Sequence, residues 1–410
     1  MSWQTKHRSL FGLPQNSTLH FRTQHMRIQG MIHRDFHLNQ IKNRFKATQI
    51  VALLGPRQCG KTTLANTFNA DLSFDLERPQ DLAALENPEQ ALKEAKKLIV
   101  IDEIQRKPDL FPFLRYFADQ NPKIKILLLG SSSRQLIQQS SESLAGRISY
   151  YHLGGFSVDE VNASEKSDQQ DRLWLRGGFP KSFLASSEKV SLRWREDYIR
   201  TFLEQDIPQL GIQIPSLTLR KFWTLLGHYN GQILNYSEIG RNFGVSDATT
   251  KKYIDLLAGT FMVEVVAPWH ANISKRQVKS PKFYFSDTGI FHNLAQIQSR
   301  KDLLSHPKLG SSWESFVLRS IRARYDKEIY FWNTQSDAEI DFIIPQPKGQ
   351  IGIEAKFSDA PRITPSMRIA LNDLDLKMIY VVYPGDKVYQ IAPQIKAVPL
   401  NQLENLVRLV

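Results

Sequence analysis

The chain has a single cysteine, Cys59, among 410 residues. One thiol excludes an internal disulfide and fits a reducing compartment, so a cytoplasmic location is expected. Long apolar runs are missing too. No stretch approaches the roughly 18 to 20 uninterrupted apolar residues of a membrane span, and the start lacks the compact apolar segment of a secretory leader, so no membrane partner is expected. Acid is in deficit: 53 Lys and Arg against 41 Asp and Glu leave a net charge of +12. The shortage is sharpest in residues 1–30, where Lys6, Arg8, Arg22 and Arg27 stand without any acid. That stretch has little apolar periodicity and is predicted to be a basic, disordered tail. A basic excess suits a nucleic-acid partner, and equally a solvated surface.

What is present is organised around Gly55-Pro56-Arg57-Gln58-Cys59-Gly60-Lys61-Thr62, which fits the pattern G-x-x-x-x-G-K-S/T. The apolar run Ile50 to Leu54 before it predicts a buried strand, and Thr63 to Phe68 after it predicts a helix start. In that setting Gly55 and Gly60 are expected to take backbone angles closed to other residues, so that successive N–H groups converge on a phosphate chain. Lys61 would reach the β- and γ-phosphates of ATP, and the Thr62 hydroxyl would take one position on Mg²⁺. Residues 55–63 are therefore the expected nucleotide-binding segment.

Leu72 to Leu76 predicts a second strand and Asp81 to Lys97 a polar helix. Leu98-Ile99-Val100-Ile101 then delivers Asp102 and Glu103. On a strand beside the phosphate loop, Asp102 would hold the metal through its water shell and Glu103 would polarise the attacking water. Ile124 to Leu129 predicts a further strand, ending at Ser131 and Ser132. Either serine is a candidate γ-phosphate sensor, with a helix N-cap as the alternative. Arg147 is a candidate for the transition-state oxygens, from its own subunit or a neighbour's, with a surface salt bridge as the alternative.

Together with Leu144-Ala145-Gly146-Arg147 and Arg176-Gly177-Gly178-Phe179-Pro180, these segments resemble the prokaryotic AAA-like ATPases that carry a C-terminal domain of unknown function. The likeness covers residues 31 to about 360. It implies an AAA-type core grouped with switch-like, signal-transducing NTPases, and it implies no particular substrate.

Beyond the core, Ser191 to Leu210 predicts a charged helical lid. Leu219 to Tyr229, Tyr236 to Phe243 and Ser246 to Leu257 predict three helices, with Gly244 as the tight turn and Ser246 as a cap. Two strands, Phe261 to Val266 and Lys282 to Phe285, would enclose a loop bearing Lys275, Arg276 and Lys279. The whole resembles a winged helix. On DNA its third helix would present Thr249, Lys251 and Lys252 to the groove, and Lys275 and Arg276 would neutralise phosphate. A packing or protein-partner role is the alternative.

The last stretch predicts strands Ala338 to Ile344 and Gln350 to Lys356 joined by a turn. Alternation puts Glu354 and Lys356 on one face, and pairing brings Asp341 to it. With Glu314 these residues resemble the acid, acid-x-lysine set of the restriction-endonuclease-like fold. In that reading Asp341 and Glu354 bind Mg²⁺, Glu314 supports the metal or its water, and Lys356 activates water. A solvated strand edge is the alternative.

The expected fold is α/β: a parallel P-loop sheet, a winged helix-turn-helix region and a small endonuclease-like domain. The expected divisions are a tail (1–30), an ATPase domain (31–188), a lid with the winged helix (189–300) and the C-terminal domain (301–410). The expected function is Mg²⁺-dependent ATP hydrolysis coupled to DNA or another nucleic acid. The alternative is an ATP-driven switch that holds a protein or nucleic acid without cutting it. A homo-oligomer is a candidate state in both.

Overall fold

The computed structural model of the protein describes residues 32–131, 140, 143–162, 168–209, 214–270, 277–335, 338–347 and 349–403. The basic segment 1–30 lies outside them. After a helix at Asp35–Ala47, the chain lays down five parallel strands: β1 (Ile50–Leu54), β2 (Leu72–Asp75), β3 (Leu98–Asp102), β4 (Lys125–Gly130) and β5 (Ile148–His152). Their spatial order is β2-β3-β4-β1-β5. Side chains alternate along a strand, so β1 feeds two cores. Ile50, Ala52 and Leu54 join Ile99, Ile101, Ile126 and Leu128 on one face, and Val51 and Leu53 join Val100, Leu127 and Leu129 on the other. Burial of both faces is what unbroken apolar runs demand of a parallel sheet.

All five strands point the same way, so the phosphate loop after β1, the Asp102-Glu103 pair after β3 and Ser131 after β4 share one end of the sheet. The expected polar helix from Asp81 to Lys97 is instead two short helices, Pro79–Ala84 and Pro88–Ala91. Pro88 cannot donate to a continuing helix, and the Asn87 side chain accepts the Gln90 N–H at 3.3 Å to start a new one.

A charged helix, Glu188–Thr201, runs into a π-helical stretch, Phe202–Asp206. Helices Ser216–Leu226, Tyr236–Phe243 and Asp247–Gly259 follow near the expected positions. Gly244 (φ 78°) makes the turn between the last two. Gly240 lets them close up, because a Cβ there would lie 2.7 Å from the Val245 carbonyl. The apolar faces of these helices, through Phe222, Trp223, Ile239, Ile254 and Leu257, are continuous with the Val51 face of the first sheet.

The second sheet is mixed. It comprises β6 (Gln232–Ile233), β7 (Val263–Pro268), β8 (Lys282–Phe285), β9 (Tyr330–Asn333), β10 (Glu339–Ile344), β11 (Ile351–Ala355), β12 (Met378–Tyr383), β13 (Tyr389–Ala392) and β14 (Ile395–Pro399). The order is β13-β14-β12-β11-β10-β9-β7-β8-β6. β10 and β11 pair antiparallel through Phe342 and Ile353, which sets Asp341 beside Glu354. β7 pairs with β8 on one side and with β9 on the other. The sheet is thus continuous across residue 300, where the sequence suggests a domain division. Among the described residues no helix is long and apolar enough to cross a membrane.

Candidate functional site

The phosphate loop is held by its surroundings. Gly55 does not have the left-handed backbone expected of it; Gln58 (φ 62°) and Gly60 (φ 99°) do. Glycine at position 55 has a steric reason instead, since a Cβ there would lie 2.1 Å from the Leu153 carbonyl oxygen. Cys59 is fully buried and its thiol points at that same carbonyl, 3.3 Å away. Lys61 is 5 % exposed, and its ammonium donates to the carbonyls of Gly55 (2.8 Å) and Pro56 (2.9 Å). A lysine folded back on its own loop is poised to exchange those carbonyls for phosphate oxygens. Thr62 and Thr63 are exposed on the first turn of the following helix, Lys61–Asn66, and Arg57 and Pro56 complete the loop.

Thr62 and Asp102 meet directly: the hydroxyl donates to the carboxylate Oδ2 at 2.6 Å. Burial raises the Asp102 pKa, and the neighbouring Glu103 charge adds to the rise against the Thr62 bond. The two oxygens present a hard donor pair of the kind Mg²⁺ takes. Glu103 is a non-glycine residue at φ 54°, a conformation that costs on the order of 1–3 kcal/mol and clusters at functional sites. Its carboxylate accepts from Ser131 Oγ at 3.2 Å and from the Gln105 amide. Gln105 also donates to Ser131 at 3.0 Å, so Ser131 sits in the site as expected. Ser132 is outside the described residues.

Arg147 requires a correction. It precedes β5 and its carbonyl receives the Ile50 N–H at 3.1 Å, so it lies at the opposite end of the sheet from the phosphate loop. Its guanidinium is held by Asp119 at 2.6 and 3.0 Å. It does not reach this chain's own phosphate site; the Asp119 pair is the surface salt bridge given as the alternative, and action on a neighbouring chain is the other reading left open.

Several participants carry no local signal. Arg57 reaches out of the loop to Asp206 and, at 3.0 Å, to Glu77. It thereby ties the phosphate loop to the π-helical stretch and borders a cleft of about 320 Å³ with Gln105, Ser131, Asp206 and Thr260. Arg34 donates to the Cys59 carbonyl at 3.1 Å and to Glu160 at 2.7 Å. Burial alone would raise the Glu160 pKa, but the Arg34 charge and the His37 hydrogen bond hold it below the usual carboxylate range. The turn Gly177-Gly178 is clamped by Asp287: Oδ2 accepts the Gly178 N–H at 2.7 Å and Oδ1 accepts Ile290 N–H at 3.1 Å. Pro180, two residues on, lies beside Gly60. Asp287 ahead of Thr288 carries a local helix-cap signal that the sequence reading missed; its long-range partner carries none.

A second polar cluster lies on the C-terminal sheet, and all four expected residues come to it. Glu314, from helix Leu309–Arg322, is partly exposed; Asp341 on β10 and Glu354 on β11 are buried. Lys356 pairs with Glu354 Oε1 at 2.7 Å, and Asp341 Oδ2 accepts the Ala355 N–H at 2.9 Å. The sequence reading missed Lys282 of β8, buried among the acids at 3.2 Å from Glu314, 3.5 Å from Asp341 and 3.8 Å from Glu339. Tyr284 donates to Glu314 as well. Burial, then the Asp341 charge, raises the pKa of both Glu314 and Glu354. Burial would lower Lys282, but Glu314, Asp341 and Glu339 outweigh it and keep the ammonium protonated. Among the described residues no group of three or more His, Cys, Asp or Glu is arranged to hold a metal. The magnesium site expected of Asp341 and Glu354 does not fit this arrangement, because a lysine stands among the acids.

On the helix Asp247–Gly259, Lys251 and Lys252 are exposed and Thr249 is half-buried, its hydroxyl 2.9 Å from Ser246 Oγ. Lys275 and Arg276 lie outside the described residues.

Residues 47–162 match an AAA domain family. Residues 167–301 and 309–403 match two domains of unknown function, DUF8612 and DUF4143. The chain is 43 % identical over 369 residues to the uncharacterized proteins Mb2031c of Mycobacterium bovis and Rv2008c of Mycobacterium tuberculosis, an overlap of 89 % of this chain and 83 % of each relative. Among solved structures it is similar to the Walker-type ATPase PABY2304 of Pyrococcus abyssi, at 13 % identity and a TM-score of 0.47 over 66 % of this chain and 97 % of that one.

Proposed function

The chain belongs to the family of the mycobacterial proteins Mb2031c and Rv2008c, and from its AAA domain we propose that it is an ATP-binding protein that hydrolyses ATP with Mg²⁺ and couples the cycle to a nucleic-acid-acting C-terminal half. The observation that carries the reading is the 2.6 Å contact between Thr62 and Asp102, next to a desolvated Lys61 and a strained Glu103. Lys61 would leave its loop carbonyls for the β- and γ-phosphates, and the loop N–H groups would complete the cradle. Thr62 and Asp102 would hold Mg²⁺, which offsets phosphate charge when bound. Glu103 would orient and polarise a water, with Ser131 and Gln105 fixing its carboxylate.

Glu103→Gln tests this. The variant should retain ATP by calorimetry and lose turnover by about 10²-fold or more; normal turnover would assign the base elsewhere.

The helix-turn-helix with β7 and β8 supports a winged-helix reading, and exposed Lys251 and Lys252 suit phosphate contact. The Glu314, Asp341, Glu354 and Lys356 set supports an endonuclease-like reading of the last domain. Lys282 favours a second function, a switch that grips its partner without cleaving it. Incubating the protein with Mg²⁺ and mixed single- and double-stranded DNA, with and without ATP, separates the two. Cleavage abolished by Lys356→Ala supports the nuclease. ATP hydrolysis with intact DNA supports the switch.

A further inference from the structure

Of the two cations in the phosphate loop, Lys61 is bonded within the loop and Arg57 outside it. The Arg57 guanidinium donates to Asp206, to Glu77 at 3.0 Å and to Gln209 Oε1 at 3.1 Å. Asp206 ends the π-helical stretch and Gln209 lies just beyond it. The cleft they share with Arg57 is also lined by Gln105 and Ser131, whose hydrogen bonds fix the Glu103 carboxylate. Burial would lower the Arg57 pKa, but the charges of Asp206, Glu103 and Glu77 raise it. Asp206 is balanced in the reverse way. Burial raises its pKa, the Arg57 charge and hydrogen bond oppose the rise, and the Glu103 and Glu77 charges add to it. One guanidinium therefore serves three carboxylates, while Arg106, also at the cleft, lies 3.9 Å from Glu77. The backbone is irregular on both sides of the pair. Gln58, next to Arg57, is a non-glycine residue at φ 62°, and Phe202–Asp206 is π-helical; both geometries are uncommon and gather at functional sites.

We propose that Arg57 is the residue that distinguishes ATP from ADP, by exchanging Asp206 for the γ-phosphate, and that Asp206 is the positioning residue that holds it back. This inference rests on ATP binding at the phosphate loop, and not on hydrolysis or on a nucleic-acid partner. In the ATP reading Glu103 faces the γ-phosphate, so the cleft it shares with Arg57 is the γ-phosphate side of the loop. A guanidinium offers five donors in a fixed fork that suits phosphate oxygens as well as carboxylates. ATP brings a further phosphate to compete for that fork, and ADP does not. Once the guanidinium turns to phosphate, Asp206 is left half-buried in the field of Glu77, Glu103 and the new phosphate. Like charges repel most where water is partly excluded, so Asp206 and the π-helical stretch withdraw. Phe202, at the start of that stretch, packs on Trp223 with ring centroids 5.3 Å apart. The withdrawal is thereby felt by the helix Ser216–Leu226 and the helix-turn-helix that follows it.

The test is calorimetric binding of ADP and of the non-hydrolysed ATP analogue AMP-PNP, each with Mg²⁺, to the full chain, read as the ratio of the two affinities. Arg57→Ala should lower the preference for AMP-PNP by about tenfold or more, as expected for losing one charge-assisted contact. Asp206→Asn keeps the shape and one acceptor, removes the competing charge, and should raise the preference. In the double variant the asparagine should have no effect, because its action passes through Arg57. Hydrogen–deuterium exchange over residues 202–209 gives a second readout. AMP-PNP should speed exchange there in the parent and ADP should not, and Arg57→Ala should exchange fast without nucleotide. If Arg57→Ala fails to fold, Arg57→Gln takes its place. An Asp206→Asn gain that persists undiminished in the Arg57→Ala background would overturn the proposal, since Asp206 would then act on the nucleotide directly. So would exchange over 202–209 that AMP-PNP leaves unchanged in a parent that binds it. A parent that binds neither nucleotide would remove the ATP-binding reading, and this proposal with it.

Discussion

Asp287 Oδ2 accepts the backbone N–H of Gly178 at 2.7 Å across 109 residues of sequence, fixing the Gly177-Gly178-Phe179-Pro180 turn against the start of the helix Thr288–Leu294. The clamp is tight. A Cβ at Gly177, whose φ is 75°, would lie 2.0 Å from Asp287 Oδ1. Asp287→Ala removes a cap and leaves the buried Gly178 N–H without its acceptor, a loss of about 2–4 kcal/mol measurable by urea unfolding. Asp287→Asn keeps one acceptor oxygen and should lose less.

At the phosphate loop, Lys61→Ala should abolish ATP binding by calorimetry while the fold persists. Gly55→Ala should act differently. Its new methyl meets backbone at Leu153, so the loop itself must shift, and both Tm and nucleotide affinity should fall. A Gly55→Ala protein with unchanged affinity would detach the loop's shape from its function.

A pH effect is expected at His292, whose imidazole is fully buried among three helices. The ring lies 2.9 Å from the Leu175 carbonyl and 2.7 Å from Ser312 Oγ, and Ser312 accepts from Trp174 Nε1 at 2.9 Å. Burial lowers its pKa to about 3. Between about pH 3 and 6.5 the unfolded chain binds this proton and the native chain does not. Stability is therefore complete above about pH 6.5 and is lost as pH falls, by about 1.4 kcal/mol per unit for this one group. Glu314 and Glu354, with raised pKa values, act in the opposite sense, so the comparison is between variants. His292→Phe should be less stable at pH 7.5 and should show a shallower acid-side decline between pH 6 and 5 in urea titrations.

Arg147→Ala should leave ATP affinity unchanged, because the side chain is held by Asp119 at the far end of the sheet. Turnover measured over a range of protein concentrations decides the rest. A fall in turnover confined to concentrations at which chains associate would place Arg147 on a neighbour's nucleotide; no fall at any concentration leaves it a surface pair.

Much of the site was legible because its signals are local. Strand, loop and helix follow one another around Gly55 to Thr62, and four apolar residues carry Asp102 to the same end of the sheet. Even the acids of the C-terminal cluster followed from alternation along two neighbouring strands. What escaped depends on distant segments meeting. Lys282 looked like the polar start of a wing strand, and only the packing of β8 beside the helix of Glu314 makes it the partner of three carboxylates. Arg57 was expected only as part of the nucleotide-binding segment, and its ion pair with Asp206 spans 149 residues. Gly55 was expected for its backbone angles, whereas the reason lies in the approach of Leu153 from β5. The single helix expected from Asp81 to Lys97 failed locally, at Asn87-Pro88.

The pairing of β7 with β9 has a practical corollary for how this protein can be divided. A chain cut near residue 300 would leave β7 with one side open, its N–H and C=O groups at Ala267 and Pro268 deprived of Tyr330 and Phe331. Open edges of that kind recruit other strands. The N-terminal piece would tend to self-associate, and any oligomer seen in such a fragment would report the exposed edge, not the assembly of the whole molecule.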